Sequence, residues 1–309
     1  MKEGKITFKR IKKLGENAVE RAQKISLPLF DGVPLYDVAL FFWRSIVDGA
    51  ITTRASGIAF SFFIALFPGI IFLFTLIPYI PISGFQDELF IIIQQLVPES
   101  TFETIEGTLN EIIRIQRGDR LSLNFFAALI FATNGLTSMM TAFDATVHSI
   151  NRRKWWSQRL AAIILLLILS VLLTVAIALL IGGQEIINYL DHIDIIRDVF
   201  LVYLLTVGKW IITIAMFFFA YSFLYYMAPA KKSKWRFISA GGTLATILSI
   251  VGFIGFTYYI NNFSQYNALY GSIGTLLIIL FLMYLMSLIL LIGFELNASI
   301  YQAHTAQDE

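Results

Sequence analysis

The sequence predicts an all-α, polytopic membrane protein with six transmembrane helices, and three observations predict this class. Of the 309 residues, 57% are hydrophobic and 14% are charged, whereas soluble domains carry roughly 45–50% apolar and about 25% charged residues. Six segments are apolar over the roughly 20 residues that a helix needs to cross a bilayer. None of them alternates polar and apolar residues with the period of two that a membrane barrel requires.

The chain opens with a basic amphipathic region, residues 1–57, that we expect to be cytoplasmic. Apolar residues repeat there at helical spacing over 6–25 and over 35–50. Such helices suit the anionic inner surface of a membrane, and packing on the bundle is the alternative. The first long apolar run begins near Ile58, which is too late for a cleavable signal peptide, so we expect this region to remain attached.

The membrane domain, residues 58–300, contains the six spans. They are predicted at about 58–80, 122–143, 160–182, 203–227, 237–260 and 272–300. The connection 81–121 is long and acidic, and its apolar periodicity predicts two outer helices broken near Pro98. Residues 301–309 form a short cytoplasmic tail.

Lys and Arg predict the orientation, because cytoplasmic loops carry an excess of them. They number ten in 1–57, four in 144–159 and four in 228–236, against three in 81–121 and one in 183–202. This alternation predicts that both termini lie in the cytoplasm.

The first span carries a small residue at every fourth position: Gly57, Ser61, Ala65 and Gly69. Small side chains let membrane helices approach closely, so this stripe predicts the face that touches the neighbouring helices. Pro68 removes a backbone hydrogen bond and predicts a kink. The kink is either a simple bend or part of a substrate site, since broken helices often line such sites.

Polar groups at membrane depth are candidates for a substrate site. Arg54 enters the first span, Asp144 leaves the second, and Glu295 and Asn297 lie near the inner end of the sixth. An arginine pairs well with a carboxylate, but the sequence does not identify which carboxylate is the partner. A salt bridge that joins helix ends and a substrate or proton site both remain open.

Two further polar residues are candidates within the spans. Asn134 lies in the second span, and Lys209 lies towards the outer end of the fourth, beside Trp210. Lys209 either reaches the outer interface with its aromatic neighbour or faces an outer cavity and attracts an anionic headgroup.

The sequence offers little for catalysis. It has no cysteine, and its three histidines, His148, His192 and His304, are not clustered. Motifs such as H-E-x-x-H, Walker A and G-x-S-x-G are absent, and a two-metal nuclease site cannot be assembled. We therefore expect no enzyme, no catalytic residue, no metal and no cofactor. The orientation rule already explains the cationic residues, so we expect no nucleic-acid partner.

The chain resembles the YihY/BrkB family of bacterial membrane proteins over roughly residues 34–303. The stretches that carry this resemblance are "ASGIAFSFFIALFPG" at 55–69, the stretch from Asp144 to Arg159, "LYYMAP" at 224–229, "YGSIG" at 270–274 and "LLIGFELNA" at 290–298. The resemblance implies a six-helix protein of the bacterial inner membrane with cytoplasmic termini. The positions that recur in this family are Pro68, Asp144, Pro229, Tyr270, Gly271, Gly274, Glu295 and Asn297. Tyr270 therefore joins the candidate substrate-binding residues.

Members of this family have been labelled ribonuclease BN, and others are linked to serum resistance and to the handling of lipid or lipopolysaccharide. We expect a transporter or lipid-moving protein of unknown substrate, with membrane lipids as its partners. The alternative is a scaffold of the cell envelope that acts through partner proteins the sequence does not identify. The missing metal ligands argue against a membrane nuclease, and a homo-oligomer remains open.

Overall fold

The computed structural model describes residues 23–76, 121–146, 153–192, 199–230, 238–262 and 272–308, with seven single positions between 87 and 110. All regular structure in these residues is helical. The helices are α1 (Leu35–Asp48), α2 (Ile51–Leu76), α3 (Leu121–Asp144), α4 (Trp155–His192), α5 (Val199–Met227), α6 (Ala240–Asn262) and α7 (Ser272–Asp308). Most of the predicted helix over 6–25 and of the two outer helices lies outside the described residues.

Helices α2 to α7 are long and apolar enough to cross a membrane, which confirms the six predicted spans. Three helices extend well beyond their predicted spans, since α2 begins at Ile51, α4 covers Trp155–His192 and α7 ends at Asp308. The difference has a physical reason. Hydropathy detects only the part of a helix that suits hydrocarbon, whereas backbone hydrogen bonding continues into the polar boundary.

The six spanning helices form a ring in chain order. Each packs against its neighbour in the sequence, and α7 closes the ring by packing against α2. The first turns of α2, α4 and α6 meet the last turns of α3 and α5, and we call this the common end. Hydrogen bonds there join Arg54 to Glu295, Ala230 to Asp144, and Gly241 to Asn297. Consecutive spans therefore run antiparallel.

Exposed aromatic residues mark two levels along the bundle. Trp155 and Trp156 are exposed at the common end, and Tyr258 and Tyr259 are exposed towards the other end. From Ala240 to Tyr258, α6 rises about 27 Å at roughly 1.5 Å per residue. This distance is close to the roughly 30 Å of a bilayer core, and aromatic belts mark the two interfaces of membrane proteins.

The interior of the ring is filled near the common end. Phe143 of α3 stacks on Phe294 of α7, with ring centroids 4.0 Å apart. Tyr225 of α5 contacts both rings, and its hydroxyl donates to the carbonyl oxygen of Leu290 at 2.9 Å. The outer surface, in contrast, exposes large apolar side chains, as lipid contact requires. They include Phe60, Phe67, Leu160, Val171, Ile211 and Val251.

Helix α1 packs against the last part of α7 at the common end. Its Val38 joins a buried cluster with Ile300 and Ala303. The other side of α1 exposes Leu40 and Trp43. The structure therefore confirms packing on the bundle for one face of this helix, while the opposite apolar face is available to a membrane surface.

The closest helix contacts occur at glycines outside the stripe of the first span. Gly241 belongs to a second small-residue series, with Ala245 and Ser249, that the sequence predicts as a contact face in the fifth span, and both of these residues are buried. A Cβ on Gly241 of α6 would overlap the carbonyl oxygen of Gly293 in α7, and a Cβ on Gly135 of α3 would lie 2.7 Å from Cδ1 of Phe62. In the stripe itself Ala65 is buried as predicted. At Gly57 the carbonyl oxygen lies 3.4 Å from Oγ of Ser138 in α3, while an added Cβ would meet no atom within 4 Å.

The contact between α6 and α7 predicts a difference between two glycines of one helix. Gly241→Ala inserts a methyl group where none fits, and overpacking of this kind costs about 1–3 kcal/mol. We expect a lower melting temperature for the purified variant in detergent. Gly255→Ala, on the same helix with no atom within 4 Å of the added Cβ, serves as the control and should melt like the parent. Equal melting temperatures for the two variants would contradict a close contact between α6 and α7 at Gly241.

Candidate functional site

Arg54 and Glu295 form a buried ion pair at the common end. Nη1 of Arg54 lies 2.6 Å from Oε1 of Glu295, and the side chains are 10% and 0% exposed. The sequence predicted an arginine and a carboxylate at this level, and the structure identifies Glu295 rather than Asp144 as the partner. Glu295 accepts a second hydrogen bond, because the Thr146 hydroxyl donates to its Oε2 at 2.8 Å.

Arg54 also binds two backbone carbonyl groups. Its Nε donates to Ala142 in the last turn of α3 at 3.0 Å, and its Nη1 donates to Gly49 between α1 and α2 at 3.2 Å. The last carbonyl groups of a helix lack partners within the helix, so a cation stabilises this position. Arg54 therefore connects the α1–α2 turn, the end of α3 and α7.

Asp144 and Asn297 bind other helix ends. The carboxylate of Asp144 accepts the backbone N–H of Ala230, just after α5, at 2.9 Å. The amide oxygen of Asn297 accepts the N–H of Gly241 in the first turn of α6 at 2.8 Å, and its amide nitrogen donates to the Ser239 hydroxyl. Both residues satisfy backbone or capping groups that a helix cannot satisfy alone.

A pocket of about 600 Å³ lies between α2, α3 and α4 at the common end, and we call it the side pocket. Its lining comes from Arg54 and Gly57 of α2, from Asn134, Thr137, Ser138, Thr141, Ala142 and the following Ala145 of α3, and from Trp155, Gln158 and Arg159 of α4. No acidic residue is part of this described lining. The pocket therefore combines two arginines and several hydroxyl and amide groups with apolar surface.

The side pocket opens on the outer flank of the ring. On α3, the residues that line it lie on one face, and the buried residues Leu136, Met139, Met140 and Phe143 lie on the opposite face. Thr141 and Gly57 are exposed. Asn134 lies ten residues before the end of α3, so the pocket extends about 15 Å from the helix end.

Arg159 is the second cation of the side pocket. Its Nη1 donates to the Thr133 hydroxyl at 2.9 Å, to the amide oxygen of Asn134 at 3.0 Å and to the carbonyl oxygen of Ile130 at 3.3 Å. Its guanidinium also lies 6.0 Å from the ring of Trp155. The side chain is thereby held against α3 although it belongs to α4.

The structure brings only some of the predicted candidates together. Arg54 and Asn134 line the side pocket. Pro68 lies within α2, which continues to Leu76, and it does not line this pocket. The side chain of Lys209 and all of Tyr270 lie outside the described residues, so their roles remain predictions.

Sequence reasoning missed Arg159, Gln158 and Thr146 as site residues. Arg159 was counted only as a positive charge of the cytoplasmic side. A signal was present, because Arg159 lies five residues into α4 and is followed directly by a long apolar run. A charged side chain at the start of a membrane span needs polar partners from neighbouring helices.

Among the residues that the structure describes, no group of three or more His, Cys, Asp or Glu residues is placed to hold a metal ion. The polar groups that do converge are guanidinium, amide and hydroxyl groups. Such a set binds anions through donated hydrogen bonds.

Comparison with known proteins supports the resemblance noted in the sequence. Residues 42–309 match the family model described as virulence factor BrkB. The ribonuclease-like protein YfkH of Bacillus subtilis (strain 168) is 29% identical over 195 residues, which cover 63% of this chain and 70% of that protein. No solved structure matches the chain.

The ion pair generates a prediction about stability. Arg54→Ala or Glu295→Ala leaves one charge buried without its partner, which costs about 3–5 kcal/mol. We expect each variant to melt at a much lower temperature than the parent in detergent. The double variant should lose less free energy of unfolding than the sum of the losses in the two single variants, because the two groups interact directly.

Arg44→Ala is the matched control, since Arg44 is exposed on α1. Single variants at the ion pair that melt like Arg44→Ala would show that the pair contributes no stability.

Proposed function

The chain belongs to the virulence factor BrkB family, and we propose that it is a membrane protein that moves lipids along its outer flank. The observation that carries this proposal is the side pocket, which holds two arginines with hydroxyl and amide groups and opens on the surface of a bundle that exposes many large apolar side chains. A lipid headgroup needs a polar path beside apolar surface for its chains. The proposal assigns no catalytic step to the chain.

The exposed surface next to the side pocket supports this proposal. Phe60, Ile64 and Phe67 of α2 and Leu160 of α4 are exposed on the helices that bound the pocket. Acyl chains could follow these residues while the headgroup occupies the pocket. The observation favours a lipid over a soluble solute, because the pocket opens towards the flank of the bundle.

We further propose that the common end is the cytoplasmic end and that the protein lies in the bacterial inner membrane. Arg153 and Lys154 precede α4 at this end. This position agrees with the excess of Lys and Arg in cytoplasmic loops. The absence of cysteine makes a labelling test simple.

We expect Lys154→Cys to react with a membrane-impermeant maleimide only after cells are opened. Ser264→Cys, in the predicted outer connection between the fifth and sixth spans, should react in cells whose inner membrane is intact. The reverse pattern would overturn the proposed orientation.

Lipid movement is measured with purified protein in vesicles that contain a fluorescent phospholipid, using dithionite to bleach the outer leaflet. The wild-type protein should move the labelled lipid faster than protein-free vesicles. Gly57→Leu places a large side chain in the pocket without a clash at its Cβ, so we expect movement to fall towards the protein-free rate.

Gly255→Leu is the control for this experiment, because Gly255 also has open space around it but does not line the side pocket. It should move lipid like the parent. If the wild-type protein moves no labelled lipid, lipid movement is excluded under these conditions and the scaffold alternative gains support.

A further inference from the structure

We infer that the side pocket binds the phosphate group of an anionic glycerophospholipid and that Arg159 is its cationic partner. The inference deepens the proposed function and rests on it for the lipid-facing setting of the pocket. It specifies which class of headgroup the pocket prefers and which side chain makes that choice.

The first argument is charge balance. Arg54 is neutralised by Glu295 at 2.6 Å. Arg159, in contrast, has only neutral oxygen partners, and no carboxylate pairs with it in the described part of the chain. A cation at membrane depth is costly without a counter-charge. The phosphodiester of an anionic lipid supplies that charge at the level of the interface.

The second argument is geometry. Three oxygen atoms of α3 hold one nitrogen of Arg159, so the plane of the guanidinium is fixed. Its Nε and Nη2 make no hydrogen bond within the residues that the structure describes. A fixed guanidinium with free donors suits phosphate, because it presents two parallel N–H groups to two oxygens.

The third argument is the rest of the lining. Arg54 has a second nitrogen, Nη2, that is buried and finds no acceptor among the described residues. The Ser138 hydroxyl makes only a long contact, 3.4 Å, with the carbonyl oxygen of Gly57. Arg54 and Ser138 both belong to the pocket lining, the Ser138 hydroxyl lacks a short acceptor, and open space lies beside Gly57.

The position of the side pocket between helices and near a membrane interface favours a lipid headgroup as the anion. Basic pockets between membrane helices on the cytoplasmic side bind the headgroups of anionic lipids. The exposed Trp155 and Trp156 place the mouth of the pocket at an interface. A volume of about 600 Å³ accommodates a headgroup, and the acyl chains remain outside.

The test measures lipid binding to the full chain in a non-ionic detergent by native mass spectrometry. The probes are phosphatidylglycerol, phosphatidylcholine and free glycerol phosphate. We expect the wild-type protein to prefer phosphatidylglycerol. Arg159→Gln should weaken this binding about tenfold, which corresponds to about 1.4 kcal/mol and to one lost charged hydrogen bond.

Lys154→Gln is the control for Arg159→Gln. It removes the same charge from an exposed residue at the same end of the bundle that does not line the pocket. It should leave the binding of phosphatidylglycerol unchanged. An equal loss in both variants would mean that general surface charge attracts the lipid and would overturn the inference. Free glycerol phosphate that binds as well as the lipid would overturn the lipid assignment.

Arg159 also joins α3 to α4, so Arg159→Gln could fail to fold. Gly57→Leu keeps Arg159 and fills the pocket, and it should also lose phosphatidylglycerol binding while melting like the parent. Unchanged binding in a folded Gly57→Leu variant would overturn the inference.

Failure of the inference and failure of the proposed function remain distinguishable. Binding that depends on Arg159 in a protein that moves no lipid supports the headgroup site and overturns lipid movement. If the protein moves lipid but binding does not depend on Arg159, the proposed function stands and the inference about the headgroup site is overturned.

Discussion

The ion pair between Arg54 and Glu295 is the contact on which the arrangement of the bundle depends. Apolar helices can slide past one another in lipid without losing hydrophobic free energy, so apolar contacts alone leave their relative heights poorly determined. A buried arginine and a buried glutamate tolerate one register only. Because Arg54 also binds the carbonyl groups of Gly49 and Ala142, one side chain determines the heights of α1, α2, α3 and α7.

The other polar residues of the common end have a similar effect. Asp144 holds the chain after α5, and Asn297 holds the start of α6. Asp144 and Asn297 each accept a backbone N–H at a helix end, whereas Glu295 accepts hydrogen bonds from the side chains of Arg54 and Thr146. The residues of the side pocket, in contrast, are not needed to cap a helix, apart from Arg54. The described contacts therefore distinguish the residues that join helix ends from the residues that line the side pocket.

The sequence predicted the spans well and the site only in part. The spans could be predicted because they are identified by long apolar segments and by the distribution of Lys and Arg. Both features can be read from local composition. The partner of Arg54 depends on which helices become neighbours, and this information is absent from local composition. Gly57 is a second example. Its spacing places it on the small-residue stripe, but the packing of the helices leaves open space beside its Cα. Arg159 was overlooked because its importance comes from Asn134 and Thr133 on a different helix.

The filled interior of the ring bears on how a lipid would pass. Near the common end, Phe143, Tyr225 and Phe294 occupy the centre in direct contact. A headgroup that entered there would have to separate aromatic rings and would lose their packing. The flank needs no such opening, since the side pocket already presents donors beside exposed apolar side chains. In the proposed function, the headgroup would occupy the side pocket while its chains stay in the bilayer, so the protein would not have to enclose the lipid. The hydroxyl and amide groups that α3 contributes to the side pocket are the groups that this proposed route would use.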